Sequence, residues 1–275
     1  MQIRHRLWLG IGLSMLAGSV TLLQAEAGSP HSGDVSPIMQ LAQGGEGGEG
    51  GEGGEGGEGG EAGVSPETAA KDPVAFISAL DVTAAHYYAG LKAYQEGETQ
   101  AAGEMFAHPI SEIYIDLEPV FQAQGVAPFQ ARMEKASELA LNKAPEAEVT
   151  QAVTSVLTAL EVAATKAPAG TGSTAQVQAK LLADMIDRAA RQYREAAGTD
   201  AFETYLDGYG FAVAAKQRLA EFTKLGQTAP ADVAMAISTL ERAYPTAKRP
   251  ASLPIKPEEL LVAASKAQLS LSRIR

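Results

Sequence analysis

Two histidines and a row of carboxylates between Ala85 and Phe121 are the residues of this chain best placed to do chemistry. Their centre is the phrase His108-Pro109-Ile110-Ser111-Glu112-Ile113-Tyr114-Ile115-Asp116. Pro109 suits the first turn of a helix, where its missing N–H costs nothing. A helix that opens there has His108 near its N-terminus and Glu112 and Asp116 following at four-residue steps. All three then fall roughly on one face, with His108 either helical or a cap. One imidazole and two carboxylates on a stripe form half of a transition-metal site. His86, on the preceding helix, could supply a further ligand if the two helices pack antiparallel. The expected metal set is therefore His86, His108, Glu112 and Asp116. Imidazole with carboxylate suits iron first, then copper, zinc or manganese, over calcium. Each residue also has a plainer role. His108 could cap a helix, His86 could sit half-buried beside Tyr87 and Tyr88, and the two acids could be solvated charges.

Composition removes whole classes of function. The chain has 275 residues and no cysteine, so disulfides, thiolate metal sites, iron–sulfur clusters and thiol nucleophiles are excluded. A formal net charge of -11 without basic clusters argues against nucleic acid as a partner. There is no Gly-x-Ser-x-Gly elbow, no phosphate-binding glycine loop and no zinc-peptidase helix with paired histidines. No second Glu-x-x-His element supports a di-iron bundle. An axial histidine for haem stays open, but there is no Cys-x-x-Cys-His for covalent attachment. The expectation is a protein without catalysis.

Three zones organise the chain. Residues 1–27 read as an export signal: Arg4 and Arg6 are followed by an apolar run from Leu7 to Leu23, and Ala25-Glu26-Ala27 offers small residues for cleavage. Residues 28–71 read as a disordered linker. Its Gly-Gly-Glu repeat carries Glu46, Glu49, Glu52, Glu55, Glu58 and Glu61 in register and has nothing apolar to bury. From Asp72 the language is alanine-rich helix. Asp72-Pro73, Pro128 and Pro145 open helices, Gly97 and Gly125 close them, and Pro109 and Pro119 break or kink the second one. Helices are further expected over Ala175–Ala197, Asp200–Leu225, Ala231–Ala243 and Glu258–Leu271, with a proline strap from Pro245 to Pro257. The fold expected for residues 72–272 is an all-α bundle of about seven or eight helices.

A faint echo divides this domain. GLKAYQEGETQAAGEMF can be set beside AARQYREAAGTDAFETY, which places Tyr94 opposite Tyr193. Two related halves, 72–168 and 175–272, would then meet across the AGTGST turn. The second half has no histidine to match His86 or His108. It could add only Asp184, Asp187, Glu203, Asp207 or tyrosine hydroxyls to a site.

With its export-type leader, acidic helical body and histidine–carboxylate helix, the chain resembles the periplasmic imelysin-like proteins associated with iron uptake. The resemblance spans roughly Asp72 to Leu271. That family's Gly-x-His-x-x-Glu motif is not intact. The nearest phrases are Ala84-Ala85-His86-Tyr87-Tyr88-Ala89, without the glutamate, and His108-Pro109-Ile110-Ser111-Glu112, with one residue too many. The resemblance implies an exported helical protein, periplasmic where the host has two membranes, that holds or presents a metal for uptake, delivery or storage. The other reading is an accessory or scaffold subunit without a metal, whose partner is a membrane or periplasmic protein.

Overall fold

The computed structural model of the chain describes residues 63–275. The leader and the Gly-Gly-Glu repeat lie outside the described residues. Within them run α1 (Pro66–Ala69), α2 (Pro73–Gln95), α3 (Thr99–Pro109), a π-helical segment (Ile110–Tyr114) and α4 (Ile115–Ala123). There follow α5 (Gln130–Leu141), α6 (Glu146–Ala164), α7 (Thr174–Gly198), α8 (Phe202–Lys224), α9 (Ala231–Ala243) and α10 (Pro257–Leu271). No strand occurs among the described residues. Counting α3, the π segment and α4 as one continuous rod, the bundle has nine helices among the described residues, one more than the upper expectation.

The addition is α1, which lies in the stretch read as linker up to Lys71. Its Ser65 hydroxyl caps the helix by accepting the Thr68 N–H at 3.2 Å, and Pro66 holds the first turn. Ala69 is fully buried, so ordered structure begins before Asp72.

The start of α2 obeys the sequence signals directly. The Asp72 carboxylate accepts the Val74 N–H at 2.9 Å, and Pro73 fills the first position. The helix is not amphipathic. From Phe76 to Thr83 every residue is buried, and burial resumes at Ala85, His86 and Tyr87. A helix apolar all round belongs inside a bundle. Accordingly α2 packs against α3, α6, α7 and α8. On one side α3 and α6 both meet α5; on the other α7 packs on α8 and α10, and α10 on α9.

The tyrosines paired by the sequence echo make matching hydrogen bonds. The Tyr94 hydroxyl donates to the carbonyl of Ala144, the residue before the N-cap of α6. Tyr193 donates to the carbonyl of Ile255, the residue before the N-cap of α10, at 3.0 Å. Tyr205 and Tyr244 likewise donate to the Ala243 and Ala189 carbonyls. These phenols are core rings that fasten a backbone at their polar tip.

One carboxylate of α2, Asp81, is carried into the core. Asp81 on α2 faces Arg218 on α8, which grips both carboxylate oxygens through Nε (2.6 Å) and Nη2. Nη1 donates to Gln178 of α7 at 3.3 Å. Ser78, one turn earlier on α2, donates to Asp184 of α7 at 2.5 Å, and Asp184 also takes Arg188. Burial pushes the Asp81 carboxyl up to about 6 from 3.8, against the pull of Arg218 and with a further push from Asp184. The folded chain therefore holds this proton more tightly than the unfolded chain does. The Asp81 contribution to stability rises as pH falls from about 6 to about 4 and is flat outside that window. Replacing Asp81→Asn should remove up to about 1.4 kcal/mol per pH unit of that slope, read from urea unfolding midpoints across the window. An identical slope in both proteins would contradict this placement of charge.

Candidate functional site

His86 reaches the site from the middle of α2 and is 3% exposed. Its Nδ1 lies 2.8 Å from the Val82 carbonyl one turn back. A carbonyl can only accept, so Nδ1 carries the proton and Nε2 is the nitrogen directed onward. Nε2 stands 3.8 Å from an Asp207 carboxylate oxygen, Oδ1, in the first half of α8. That oxygen is buried, as is Oε2 of Glu112.

His108 comes from the end of α3. Its ring centroid is 6.4 Å from that of His86, edge to face. Two contacts fix the approach of α2 and α3 there. The Tyr87 hydroxyl donates to the Phe106 carbonyl at 3.1 Å, and the two rings stack at 5.1 Å. Gly90 leaves room for the Phe106 ring, because a Cβ on it would come within 2.5 Å of that ring. The meeting of the two histidines, which the sequence leaves conditional on how the helices pack, is thus present in the fold.

Pro109 does not open a fresh helix. It sits inside a continuous one, and its effect is felt just beyond it. Lacking an N–H, it interrupts the i→i−4 ladder. The chain answers with the π segment, in which the Ile115 N–H reaches back five residues to the Ile110 carbonyl. The wider turn sets a new register: Ile113, Tyr114, Leu117, Val120 and Phe121 are buried, while Ile115 and Asp116 are exposed. Here the sequence expectation needs correcting. Glu112 has a buried oxygen, but Asp116 lies at the surface and drops out of the stripe.

The second half supplies Asp207 instead. Of the acids it could have offered, Asp184 is held by Ser78 and Arg188, and Asp187 pairs with Arg191 at 2.5 Å. Asp207 is distinguished by the two glycines just after it, Gly208 and Gly210. A Cβ on Gly210 would stand 2.3 Å from the Ala85 carbonyl oxygen, so this glycine lets α8 lie directly on α2 next to His86. Gly208 makes room for the Tyr244 hydroxyl in the same way. A Gly-x-Gly pair inside a helix is the readable sign of close packing, and it points at Asp207. The Tyr244 phenol is held well above its ordinary range, mainly by burial and in part by Asp207.

His86 on α2 thus has His108 of α3 and Asp207 of α8 as neighbours, and Glu112 stands on the π segment that follows His108. Among the described residues no three such side chains stand in position to hold a metal ion together. The arrangement brings imidazole and carboxylate together, with His86 Nδ1 anchored to backbone and Nε2 turned toward Asp207. Compared with known proteins, the chain matches no family model, no curated protein and no solved structure.

Replacing Gly210→Ala should force α8 off α2. The expected cost is about 1–3 kcal/mol for a clash with backbone, seen as a lower urea midpoint. In the same variant the His86–Asp207 separation should grow, read as a change in the His86 imidazole NMR shifts. A variant as stable as the parent would mean that α2 and α8 are not in tight contact there.

Proposed function

We propose that this protein binds a transition-metal ion without catalysis, to take it up, deliver it or store it, and that the ion is held by His86, His108, Glu112 and Asp207. The observation that carries the reading is the His86 tautomer. Nδ1–H is committed to Val82, so Nε2 is turned toward the Asp207 carboxylate 3.8 Å away, and imidazole and carboxylate stand side by side at this point. The gap exceeds a hydrogen bond, and it would have to close to about 3.3 Å for the two to be tetrahedral ligands each about 2 Å from one ion. The donor chemistry fits iron first, then copper, zinc or manganese. Small rotamer changes would have to bring His108 and Glu112 in.

The imelysin-like reading gains support from the π segment. His108 and Glu112 are separated by one residue more than that family's His-x-x-Glu. A π turn is the form that one inserted residue takes in an α-helix, and such turns gather at functional sites. The insertion can therefore be absorbed with imidazole and carboxylate still neighbours. Export fits the leader, and no described helix is long and apolar enough to cross a membrane.

The scaffold reading keeps one observation of its own. Val262 and Leu269, seven residues apart on α10, and Met235 on α9 are all more than half exposed. Residues seven apart share a helix face, and such a face could meet a protein partner.

Elemental analysis of untagged protein purified without chelator separates the two. About one iron, copper, zinc or manganese per chain is expected. It should be lost in His86→Ala and Asp207→Asn and retained in Asp116→Asn, with helicity unchanged throughout. At a metal concentration a hundredfold above Kd, stability should rise by about 2.7 kcal/mol. No bound metal, with no shift in Tm from any of the four ions, would end the metal reading and leave the scaffold in front.

A further inference from the structure

A concavity lies on the side of α2 away from the histidines. It is a cavity of about 470 Å³ with α2 as one side, α6 as another, and α7 and α8 opposite. That volume is in the range of small-molecule sites. Its walls differ in chemistry. Ile77 and Leu80 of α2 and Leu157 and Leu160 of α6 give it an apolar side. The Asp81–Arg218 pair, bridged to Gln178, gives it a polar one.

The balance of charge selects the ligand. Three carboxylates (Asp81, Glu161 and Glu221) line the cavity against two cations, Arg218 and Lys224. Arg218 is engaged by Asp81, and Lys224 lies 2.6 Å from Glu221. Glu161 is the carboxylate left over, without an ion pair among the described residues. It stands on α6, and Tyr88 on α2 lines the same cavity. All three of Asp81, Glu161 and Tyr88 line the cavity, and the two carboxylates raise the Tyr88 pKa after the larger effect of burial. Each Asp81 oxygen still has a second lone pair after meeting Arg218. A phenol face and oxygen beside two carboxylates attract an ammonium group. An anion would find its guanidinium already engaged and would face Glu161.

We propose that this cavity binds a small organic ammonium ion with an aliphatic body, its nitrogen among Tyr88, Asp81 and Glu161 and its chain along Leu80, Leu157 and Leu160. The site is independent of the metal reading, since it uses neither histidine nor Asp207.

The test is calorimetric titration of the full chain with n-pentylammonium chloride, beside pentan-1-ol and sodium pentanoate. Pentylammonium should bind saturably, pentanol at least tenfold more weakly, and pentanoate not at all. Glu161 is exposed, so Glu161→Gln should fold normally and weaken pentylammonium about tenfold. Ala164→Leu, which fills the cavity from α6, should abolish binding, while His86→Ala should leave it unchanged. Failure of pentylammonium to saturate would overturn the proposal. So would tighter binding of pentanoate, or unchanged affinity in Glu161→Gln.

Discussion

A carboxylate carried into the middle of a helical bundle has to be met there, and the meeting of Asp81 with Arg218 sets how α2 and α8 lie against each other. The two helices run antiparallel. Once residue 81 stands beside residue 218, Ala85 comes to Gly210 and His86 to Asp207. One pairing thus fixes the register for both interior regions. On one face of α2 it gathers imidazoles and acids. On the other it forms the polar end of the cavity. Breaking a buried pair by removing one partner is costly because the other charge is left stranded. That gives the register a firmness that contacts among alanines alone would not.

The second constraint is proline. Pro109 stands immediately before the π segment and Pro119 inside α4, yet the rod from Thr99 to Ala123 is unbroken. A missing N–H can end a helix or be accommodated by widening it. Widening is the response of this chain, because Phe106 before the proline and Ile113, Tyr114 and Leu117 after it all have core positions to fill. The π turn rotates the buried face to suit. It also decides that Glu112 goes inward and Asp116 goes out.

Much of the fold is legible in the sequence because its signals are local. Asp72-Pro73 opens α2, Gly97 and Gly125 take the positive φ that ends a helix, and Ser173 with Gln176 forms a capping box at the start of α7. The helix Pro66–Ala69 has the same local signals, Ser65 as cap and Pro66 in the first turn, but four residues at the edge of a glycine repeat have no apolar period to mark them as a helix. The pairing of His86 with His108 is readable only as a conditional, since faces follow from spacing but neighbours do not. Asp116 is misplaced when α spacing is applied across a stretch that is not α. Asp207 is one of several acids available, and the clue that singles it out lies in glycines, not in a charged motif.

The all-round burial of α2 has a consequence for how the chain reaches this state. Synthesis delivers α2 early, but the Arg218 that completes its surroundings lies 137 residues later than Asp81. Until α8 arrives, a helix apolar on every side has only α1, α3, α6 and α7 to cover it. Contacts of such sequence separation are slow to form, and exposed apolar helices invite association with other chains. The first half alone therefore leaves part of α2 uncovered, and its burial is completed only by helices from the second half.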